Sequence, residues 1–317
     1  MHRMKVIGPE AASACAALSD ICMRGGKRLR AALVCVGARC FRQRPNLELL
    51  IRIGAAVELL HAYFLVHDDW IDSDNMRRGG PSAHATLRAL YGKSAGDAAA
   101  ILAGDWGAAV ANDWMAQLPV KGAALTRLLS AFSEMQRAAI CGQLRDTLAQ
   151  GTDIERTYEL KTASYTVQGP LALGAIASGA NAKQLDALRL YSIPVGIAFQ
   201  LRDDLIGLFG AEKVTGKPFG SDLRAGKRTA AAIYAFNTAR GSDRRLLASV
   251  FGNPRASQKQ LLEVVQVMEY LGARSEVERR IATLLAKANR GLRIAPVNDA
   301  GRKLLASAAN ALALRSM

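Results

Sequence analysis

The segment 58–72, ELLHAYFLVHDDWID, repeats its polar side chains at the spacing of a helix. Intervals of three and four residues place the following side chains on one face: Glu58, His61, Leu65, Asp68 and Asp72. Asp69 lies beside them. Since carboxylates one turn apart repel each other, and more strongly when buried, the cluster requires a compensating cation. Carboxylate oxygens alone favour magnesium, which keeps several waters and bridges to substrate phosphates, while a solvated acidic helix end stays an alternative.

The rest of the chain also has the composition of helices. Alanine and leucine dominate, and short breaks of Gly, Pro, Asn or Asp separate the helix-forming stretches. No alternating pattern indicates a sheet, and no fixed repeat is found. We therefore predict a single all-α domain, 1–317, with Trp70, Trp106 and Trp114 packed in its core. The predicted helices cover 12–22, 28–41, 46–74, 95–116, 122–149, 155–165, 168–178, 183–209, 227–238, 243–250, 257–271, 273–290 and 298–314.

Charge and composition limit the classes of function. The chain has 42 Lys and Arg against 27 Asp and Glu, a formal net charge of +15, which indicates an anionic partner such as nucleic acid, membrane lipid or a phosphorylated substrate. No run of about 18 uncharged apolar residues predicts a membrane-spanning helix, and no secretory leader is recognisable. The 5 cysteines are odd in number and form no CxxC pair, so we expect a cytoplasmic protein without a disulfide framework or zinc site.

A second acidic pair occurs in the segment 199–207, FQLRDDLIG. Helical spacing puts its polar side chains and a glycine on one face, namely Gln200, Asp203, Asp204 and Gly207. A loop with glycine, proline and cations follows each pair, at 75–82 and 210–227. In the first loop, Arg77 and Arg78 either neutralise the carboxylates or hold a phosphate. We expect two acidic walls that face each other and hold magnesium around one diphosphate, with the loops closing over it.

Three further polar groups lie outside these pairs. The segment RGGKRLR at 24–30 is a glycine-hinged basic turn before an apolar helix, where cations are tolerated more readily if an anion binds. It lacks the interleaved aromatic residues of a nucleic-acid surface. Lys161 with Thr162, taken alone, favours a structural role, and Gln143 with Asp146, one turn apart on an apolar helix, is similarly ambiguous.

Six motifs, in this order, resemble the trans-polyprenyl diphosphate synthase family of short-chain type, which includes farnesyl and geranylgeranyl diphosphate synthases. They are GGKRLR at 25–30, HDDWID with RRGGPSAH within 67–84, GQLRD at 142–146, KT at 161–162, FQLRDD at 199–204 and TGKPFGSDLRAGKRT at 215–229. The resemblance covers most of the chain. It implies one large helical bundle around a deep central apolar cavity, a homodimer, and magnesium as cofactor with three ions per active site.

The resemblance also implies a role for each matching residue. The binders of isopentenyl diphosphate correspond to Lys27, Arg30, His61 and Arg78. The metal ligands correspond to Asp68 and Asp72 in the first wall and Asp203 in the second, with Asp69 and Asp204 supporting them. The contacts to the allylic diphosphate correspond to Arg77, Lys161, Thr162, Gln200, Lys217 and Lys227. The catalytic set is Asp68, Asp69, Asp72, Arg77, Lys161, Asp203, Asp204 and Lys217.

The reaction that this family performs needs no side-chain nucleophile. The allylic C–O bond ionises, the alkene of isopentenyl diphosphate attacks the allylic cation, and a proton is lost, with the departing diphosphate as the expected base. The cavity must be dry because water would quench the cation. One departure concerns the second wall, where Gly207 stands in place of a third aspartate. One metal ligand is therefore missing, or Asp222 or water replaces it.

Two aromatic residues lie before the first aspartate pair. Phe64 is one turn before Asp68 and so lies below it, where we expect the floor of the cavity, and Tyr63 precedes it. In the family both positions bear on product length, and two aromatic side chains there resemble the short-chain enzymes. We predict a fifteen-carbon product first and a twenty-carbon product second. Ordinary core packing of both rings is the alternative.

Three other functions compete with this interpretation. A class I terpene cyclase needs an N/D-D-x-x-S-x-x-x-E motif, and Asn112-Asp113 lacks the Ser and the Glu. A non-catalytic partner subunit of a prenyl synthase is disfavoured because both acidic motifs are present. The motif cations do not account for all of the positive charge. We expect no nucleic-acid binding, and peripheral contact with an anionic membrane stays open.

Overall fold

The computed structural model describes residues 8–148, 153–210 and 219–313. Helices make up nearly all of the regular structure there, which confirms the predicted all-α class. In chain order they are α1 Pro9–Met23, α2 Leu29–Arg39, α3 Leu47–Ile71, α4 Ala83–Tyr91, α5 Lys93–Ala116, α6 Ala123–Leu148, α7 Ile154–Tyr158, the π-helix π1 Glu159–Gln168, α8 Gly169–Ala177, α9 Ala182–Phe209, α10 Ser221–Arg224, α11 Ala230–Thr238, α12 Gly241–Val250, α13 Gln258–Tyr270, α14 Ala273–Ile294 and α15 Asp299–Ala313.

The segment after α3 differs from the sequence prediction. Helix α3 ends at Ile71 rather than at 74, and the chain then forms a hairpin where no strands were predicted. Strand β1, Met76–Arg77, pairs antiparallel with β2, Gly80–Pro81. The turn residues Arg78 and Gly79 have φ of 50° and 76°, the left-handed conformation that a type I′ turn requires. The glycine makes this turn possible, and each strand is too short for a recognisable alternating pattern.

Three helical segments were also predicted wrongly. Helix α4 is absent from the prediction because the Gly-Gly-Pro sequence before it marks a loop, yet Ser82 and Gly92 delimit a regular helix. Helix α10 lies inside the predicted loop 210–227. The predicted break near 166–167 does not exist, because π1 runs directly into α8. A 3.6-residue periodicity cannot reveal a π-helix, whose turns are wider.

The chain divides into two compact units. The first comprises Met1–Ser133 with Leu173–Gly179, and the second comprises Glu134–Ala172 with Ala180–Met317. The single domain 1–317 stays a prediction. Each unit carries one of the two aspartate pairs, Asp68-Asp69 in the first and Asp203-Asp204 in the second.

In the first unit, the central helix is α3, which packs against α5 and α2. Gly104 permits the close approach of α5, since a Cβ atom there would lie 2.3 Å from His67 Nε2. Among the described residues, α3 is the one helix that is long and apolar enough to cross a membrane by length and composition, although Arg52 and Glu58 interrupt its apolar sequence. More than half of its most apolar stretch is buried in the fold, as in the core helix of a globular unit.

In the second unit, α9 packs against α14 and π1. Two glycines bring neighbouring helices onto π1 from α6 and from α9. A Cβ atom at Gly142 would lie 2.1 Å from the backbone nitrogen of Lys161, and one at Gly196 would lie 2.4 Å from Cβ of Ala163. Neither contact is sterically possible with a side chain at the glycine, so the position of Lys161 and its neighbours depends on both glycines.

The predicted burial of the tryptophans is wrong for two of them. Trp106 and Trp114 are 40% and 44% exposed on α5. Leu102, four residues before Trp106, is 64% exposed. Leu102 and Trp106 are about one turn apart, and Trp114 follows about two turns later, so the three side chains form an apolar stripe that winds around the helix. This stripe is a surface feature of the first unit rather than part of its core.

Candidate active site

The first aspartate pair lies in the last turn of α3. Asp68 is half-buried, Asp69 is completely buried and Asp72 is exposed directly after the helix. The backbone N–H of Asp72 donates to the carbonyl of Asp68 at 2.8 Å, which keeps the last turn regular. A helix C-terminus carries partial negative charge, so three carboxylates there repel both the helix dipole and one another. The arrangement is stable only with cations close by.

Arg77 supplies one of these cations from the hairpin. Its Nε donates to Asp69 Oδ1 at 2.8 Å, and its Nη2 donates to the same oxygen. The other oxygen, Asp69 Oδ2, is buried with no hydrogen-bond partner. Burial raises the pKa of Asp69 to about 6, and the hydrogen bond and charge of Arg77 oppose that rise. The guanidinium of Arg77, which is predicted to contact an allylic diphosphate, is therefore already oriented by Asp69 in the free protein.

A cluster of cations surrounds His61, which lies two turns before Asp68 on α3. His61 Nε2 lies 3.5 Å from Arg78 Nη2. Burial lowers the pKa of His61 well below its usual value, and the charges of four arginines lower it further, namely Arg30, Arg78, Arg77 and Arg28. The pKa of Arg78 is also lowered, by burial and by the charge of the neighbouring Arg28. Such convergence of positive charge around a neutral histidine favours an anion at this position.

The hairpin that carries Arg77 and Arg78 is fixed to the basic turn before α2. Arg78 Nη1 donates to the carbonyls of Gly25, at 2.8 Å, and Ile21, at 3.2 Å. Arg24 donates from Nη1 to the carbonyls of Arg77, at 3.1 Å, and Pro81, at 2.6 Å. Sequence reasoning placed Arg24 in the basic turn but missed this contact, whose only signal was its position beside the two glycines. Lys27 lies exposed on the same turn.

Glu58 does not belong with the aspartates, although it shares their helix face. Its Oε1 accepts from the backbone N–H of Ala31 at 3.2 Å, and its Oε2 lies 3.3 Å from Arg28 Nη1. It therefore satisfies a free N–H in the first turn of α2 and offsets a cation next to that helix terminus. Its role in the structure is to hold α2 against α3.

The two aromatic residues of the predicted cavity floor lie on α3, in the turns before Asp68. Tyr63 is 8% exposed and Phe64 is half-buried, and their ring centroids lie 4.8 Å apart. The Tyr63 ring also lies 4.7 Å from the ring of His67. A Cβ atom at Gly107 of α5 would lie 3.7 Å from Tyr63 Cβ, so α5 backs this ring. Their effect on product length stays a prediction.

The second aspartate pair lies on α9, in the second unit. Asp203 is half-buried, while Asp204 is buried and accepts two hydrogen bonds. Tyr158 donates from its hydroxyl to Oδ2, and Gln200 donates from Nε2 to Oδ1 at 2.8 Å. Thr162 Oγ1 in turn donates to Gln200 Oε1 at 2.6 Å. Burial raises the pKa of Asp204 to about 6, against the lowering effect of Lys227.

Two cations predicted to contact the allylic diphosphate are described in this unit, and one is not. Lys161, on π1, forms an ion pair with Asp146 of α6, whose role the sequence left ambiguous. Lys227 follows α10, and its backbone N–H donates to the carbonyl of Asp222 at 2.9 Å. Lys217 lies outside the described residues. Lys161 is therefore positioned by the same α6–π1 contact that Gly142 permits.

Asp222 lies next to the position of the missing third aspartate. A Cβ atom at Gly207 would lie 3.0 Å from Asp222 Oδ2. The carboxylate of Asp222 thus reaches the space that a side chain at 207 would occupy. Within the described ranges, no three His, Cys, Asp or Glu side chains form a cage that could bind a metal unaided. Magnesium does not require one, because it keeps waters and takes its other ligands from substrate phosphates, so the carboxylates present fit this ion.

Comparison with known proteins gives a consistent result. The polyprenyl synthetase family model matches residues 12–268. The geranylfarnesyl diphosphate synthase of Aeropyrum pernix is 34% identical over 290 residues, which cover 89% of this chain and 87% of that protein. The (2E,6E)-farnesyl diphosphate synthase of Mycobacterium tuberculosis is 37% identical over 259 residues, covering 78% and 68%. A geranylgeranyl pyrophosphate synthase structure from Corynebacterium glutamicum, complexed with isoprenyl diphosphate and magnesium, superposes with a TM-score of 0.93 at 31% identity, covering 99% and 94%.

Proposed function

Because the chain belongs to the polyprenyl synthetase family and is a short-chain prenyl diphosphate synthase, we propose that it condenses an allylic diphosphate with isopentenyl diphosphate to a fifteen-carbon product, with twenty carbons as the second choice. The observation that carries the proposal is the cluster of arginines around His61, next to the aspartates that end α3. One group is suited to a diphosphate and the other to a metal ion that accompanies a diphosphate.

We assign isopentenyl diphosphate to the cation cluster of the first unit. Its proposed binders are Lys27, Arg30, His61 and Arg78. His61 stays neutral at physiological pH because its pKa is lowered, so it offers one N–H donor without adding charge. Arg78 is held by two backbone carbonyls, which orients its guanidinium before the substrate arrives. Preorganised donors of this kind lower the entropic cost of binding.

We assign magnesium, three ions per active site, to Asp68, Asp72 and Asp203. Bound magnesium would neutralise the charge that develops on the leaving diphosphate. Asp69 and Asp204 are buried and engaged with other side chains, so we propose that they orient their neighbours. We further propose that Asp222 supplies the carboxylate that Gly207 lacks, since its Oδ2 reaches that space.

The remaining motif residues are proposed to hold the allylic diphosphate, namely Arg77, Lys161, Thr162, Gln200, Lys217 and Lys227. The described cations among them could stabilise the diphosphate as the C–O bond breaks, which is where the largest catalytic effect is expected. No acid or base side chain is needed at the alkene, because the departing diphosphate can accept the proton. An apolar cavity would protect the allylic cation from water.

One assay tests this function directly. Purified protein is incubated with labelled isopentenyl diphosphate, magnesium and five-, ten- or fifteen-carbon allylic primers in turn, and the products are sized. We expect elongation that a chelator abolishes. Asp68→Asn should lower kcat about 100-fold, whereas Asp113→Asn, the same change on the exposed face of α5, should not. A cyclised product, or no product with any primer, would contradict the proposal.

We also propose a homodimer, formed through the apolar stripe of Leu102, Trp106 and Trp114 on α5. Aromatic side chains are enriched in such interfaces, and this stripe is exposed in a single chain. Light scattering of the wild type should give twice the chain mass. The double variant Trp106→Glu/Trp114→Glu should give the mass of one chain, and Tyr270→Glu, a change of a still more exposed aromatic residue elsewhere, should leave the dimer intact. A monomeric wild type would refute the proposal.

The positive charge outside the motifs has its own test. We place the protein in the cytoplasm, expect no nucleic-acid binding, and leave contact with an anionic membrane surface as the second role for this charge. Sedimentation with vesicles of anionic lipid at increasing salt measures that contact. A gel shift with duplex DNA measures nucleic-acid binding. A salt-sensitive shift would show that our expectation of no nucleic-acid binding is wrong.

A further inference from the structure

We propose that Tyr158 is a positioning residue for prenyl transfer, acting through Asp204 on the proposed metal ligand Asp203. The proposal rests on the function assigned to Asp203 above. Tyr158 is the last residue of α7 and belongs to none of the six motifs. Its ring is 6% exposed, in the apolar core of the second unit.

The hydroxyl of Tyr158 joins three segments that are distant in the sequence. It donates to Asp204 Oδ2 on α9 and accepts from the backbone N–H of Ala230 at 3.1 Å. Ala230 is the first residue of α11, and it follows the segment that contains Lys227. One oxygen atom therefore ties the end of α7 to the aspartate pair and to the end of a cationic loop.

The other oxygen of Asp204 is held in the same manner. Gln200 donates to it at 2.8 Å and is itself oriented by Thr162 of π1 at 2.6 Å. Asp204 thus accepts from both sides within the protein, at a site where it is 6% exposed. A carboxylate engaged in this way is suited to fixing the helix turn that presents Asp203 rather than to binding an ion. Tyr158 provides one of its two donors.

Replacing Tyr158 by phenylalanine removes the hydroxyl and keeps the packed ring. Asp204 Oδ2 then loses its donor, and the N–H of Ala230 loses its acceptor. Changes to residues that orient a metal ligand commonly cost 10- to 100-fold in metal affinity or activity. We expect the same range here, with little effect on the KM for isopentenyl diphosphate, since its proposed binders lie in the first unit.

The test compares Tyr158→Phe with a matched control. Tyr191 is also buried in the second unit, and its hydroxyl donates to the carbonyl of Leu305, away from the aspartate pair. Titration of Mn²⁺ in the presence of inorganic diphosphate, followed by electron paramagnetic resonance, measures metal binding without turnover. For Tyr158→Phe we expect the Mn²⁺ dissociation constant to rise about 10-fold or more and kcat to fall by a similar factor. For Tyr191→Phe we expect both to stay within twofold of wild type.

A double-variant cycle shows whether Tyr158 acts through Asp204. In an Asp204→Asn background, Tyr158→Phe should change the Mn²⁺ dissociation constant and kcat by less than a further factor of two. The positioning of Asp203 by Asp204 is already impaired in that background. Should Tyr158→Phe not fold, Asp204→Asn alone replaces it, since the amide can accept from only one of the two donors. Full Mn²⁺ affinity in that variant, or equal effects of Tyr158→Phe and Tyr191→Phe, would overturn the proposal.

Asp203→Ala separates failure of this inference from failure of the proposed function. If Asp203→Ala binds Mn²⁺ and diphosphate like the wild type, the assignment of the metal ligand is wrong. If Asp203→Ala loses Mn²⁺ binding while Tyr158→Phe keeps it, the metal ligand stands and only the positioning role of Tyr158 fails.

Discussion

The two aspartate pairs have the same design but different partners. In each, a half-buried aspartate precedes a buried one whose pKa is raised to about 6 by burial. In the first unit, the buried Asp69 accepts from a charged group, Arg77. In the second unit, the buried Asp204 accepts from two neutral donors, Tyr158 and Gln200. The first buried aspartate is therefore held by an ion pair, whereas the second is held by two neutral hydrogen bonds, with the charge of Lys227 lowering its pKa.

This difference matters because the cost of losing a partner is unequal. Removing one member of a buried ion pair leaves an uncompensated charge, at about 3–5 kcal/mol, whereas an unsatisfied hydrogen-bonding group costs about 1–3 kcal/mol. The charged partner also comes from a short hairpin, and Arg24 fixes that hairpin through two backbone carbonyls. The neutral partners come from helices that are packed in the core.

Arg77→Leu should have the largest effect on stability. Measured by urea unfolding at pH 8 without metal, where Asp69 is ionised in the parent protein, the free energy of unfolding should fall by about 3–5 kcal/mol. The double variant Asp69→Leu/Arg77→Leu should recover most of it, because no buried charge is then left alone. A loss below about 1 kcal/mol in the single variant would mean that the first pair is not held by charge.

Exchanging the third carboxylate should have an intermediate effect, confined to the second pair. Asp222→Asn should weaken Mn²⁺ binding with diphosphate about 10-fold. In the double variant Gly207→Asp/Asp222→Ala, the shortened side chain at 222 vacates the space of Oδ2, so the new carboxylate can enter it and should restore most of the affinity. Asp222→Asn with unchanged Mn²⁺ affinity would show that water, not Asp222, replaces the third aspartate.

Shortening the aromatic floor before the first pair should change the product rather than the stability of the pair. Tyr63→Ala/Phe64→Ala should lengthen the product by one or more five-carbon units, since two rings 4.8 Å apart are removed. The matched control is Tyr234→Ala/Phe236→Ala, two half-buried aromatic residues on α11. If both double variants give the wild-type chain length, the floor assignment is wrong.

The sequence predicted those parts of the molecule that depend on local periodicity. The spacing within 58–72 placed Asp68 on α3, and the same rule placed Asp203 on α9. It also grouped Glu58 with the aspartates, because spacing reveals which face a residue is on but not which neighbour it contacts. The contact of Glu58 with the start of α2 required the packed structure.

The partners of the buried aspartates could not be predicted for a related reason. Tyr158 and Asp204 are 46 positions apart, and nothing in the spacing of either residue indicates the other. Arg24 likewise contacts Pro81 across 57 positions. Such pairs are set by how helices pack, and the sequence carries no periodic signal for them. The π-helix could not be predicted because the residue types in this stretch carry no signal for a wider turn with more residues per turn.

The π-helix makes this stretch intolerant of changes in length. Each residue added to or removed from an α-helix rotates all that follow by about 100° relative to the rest. Deleting one residue between Tyr158 and Lys161 would let the wide turns relax to the ordinary pitch and swing Lys161 away from Asp146 and Thr162 away from Gln200 together. The number of residues in this stretch is therefore as important to the site as the side chains themselves.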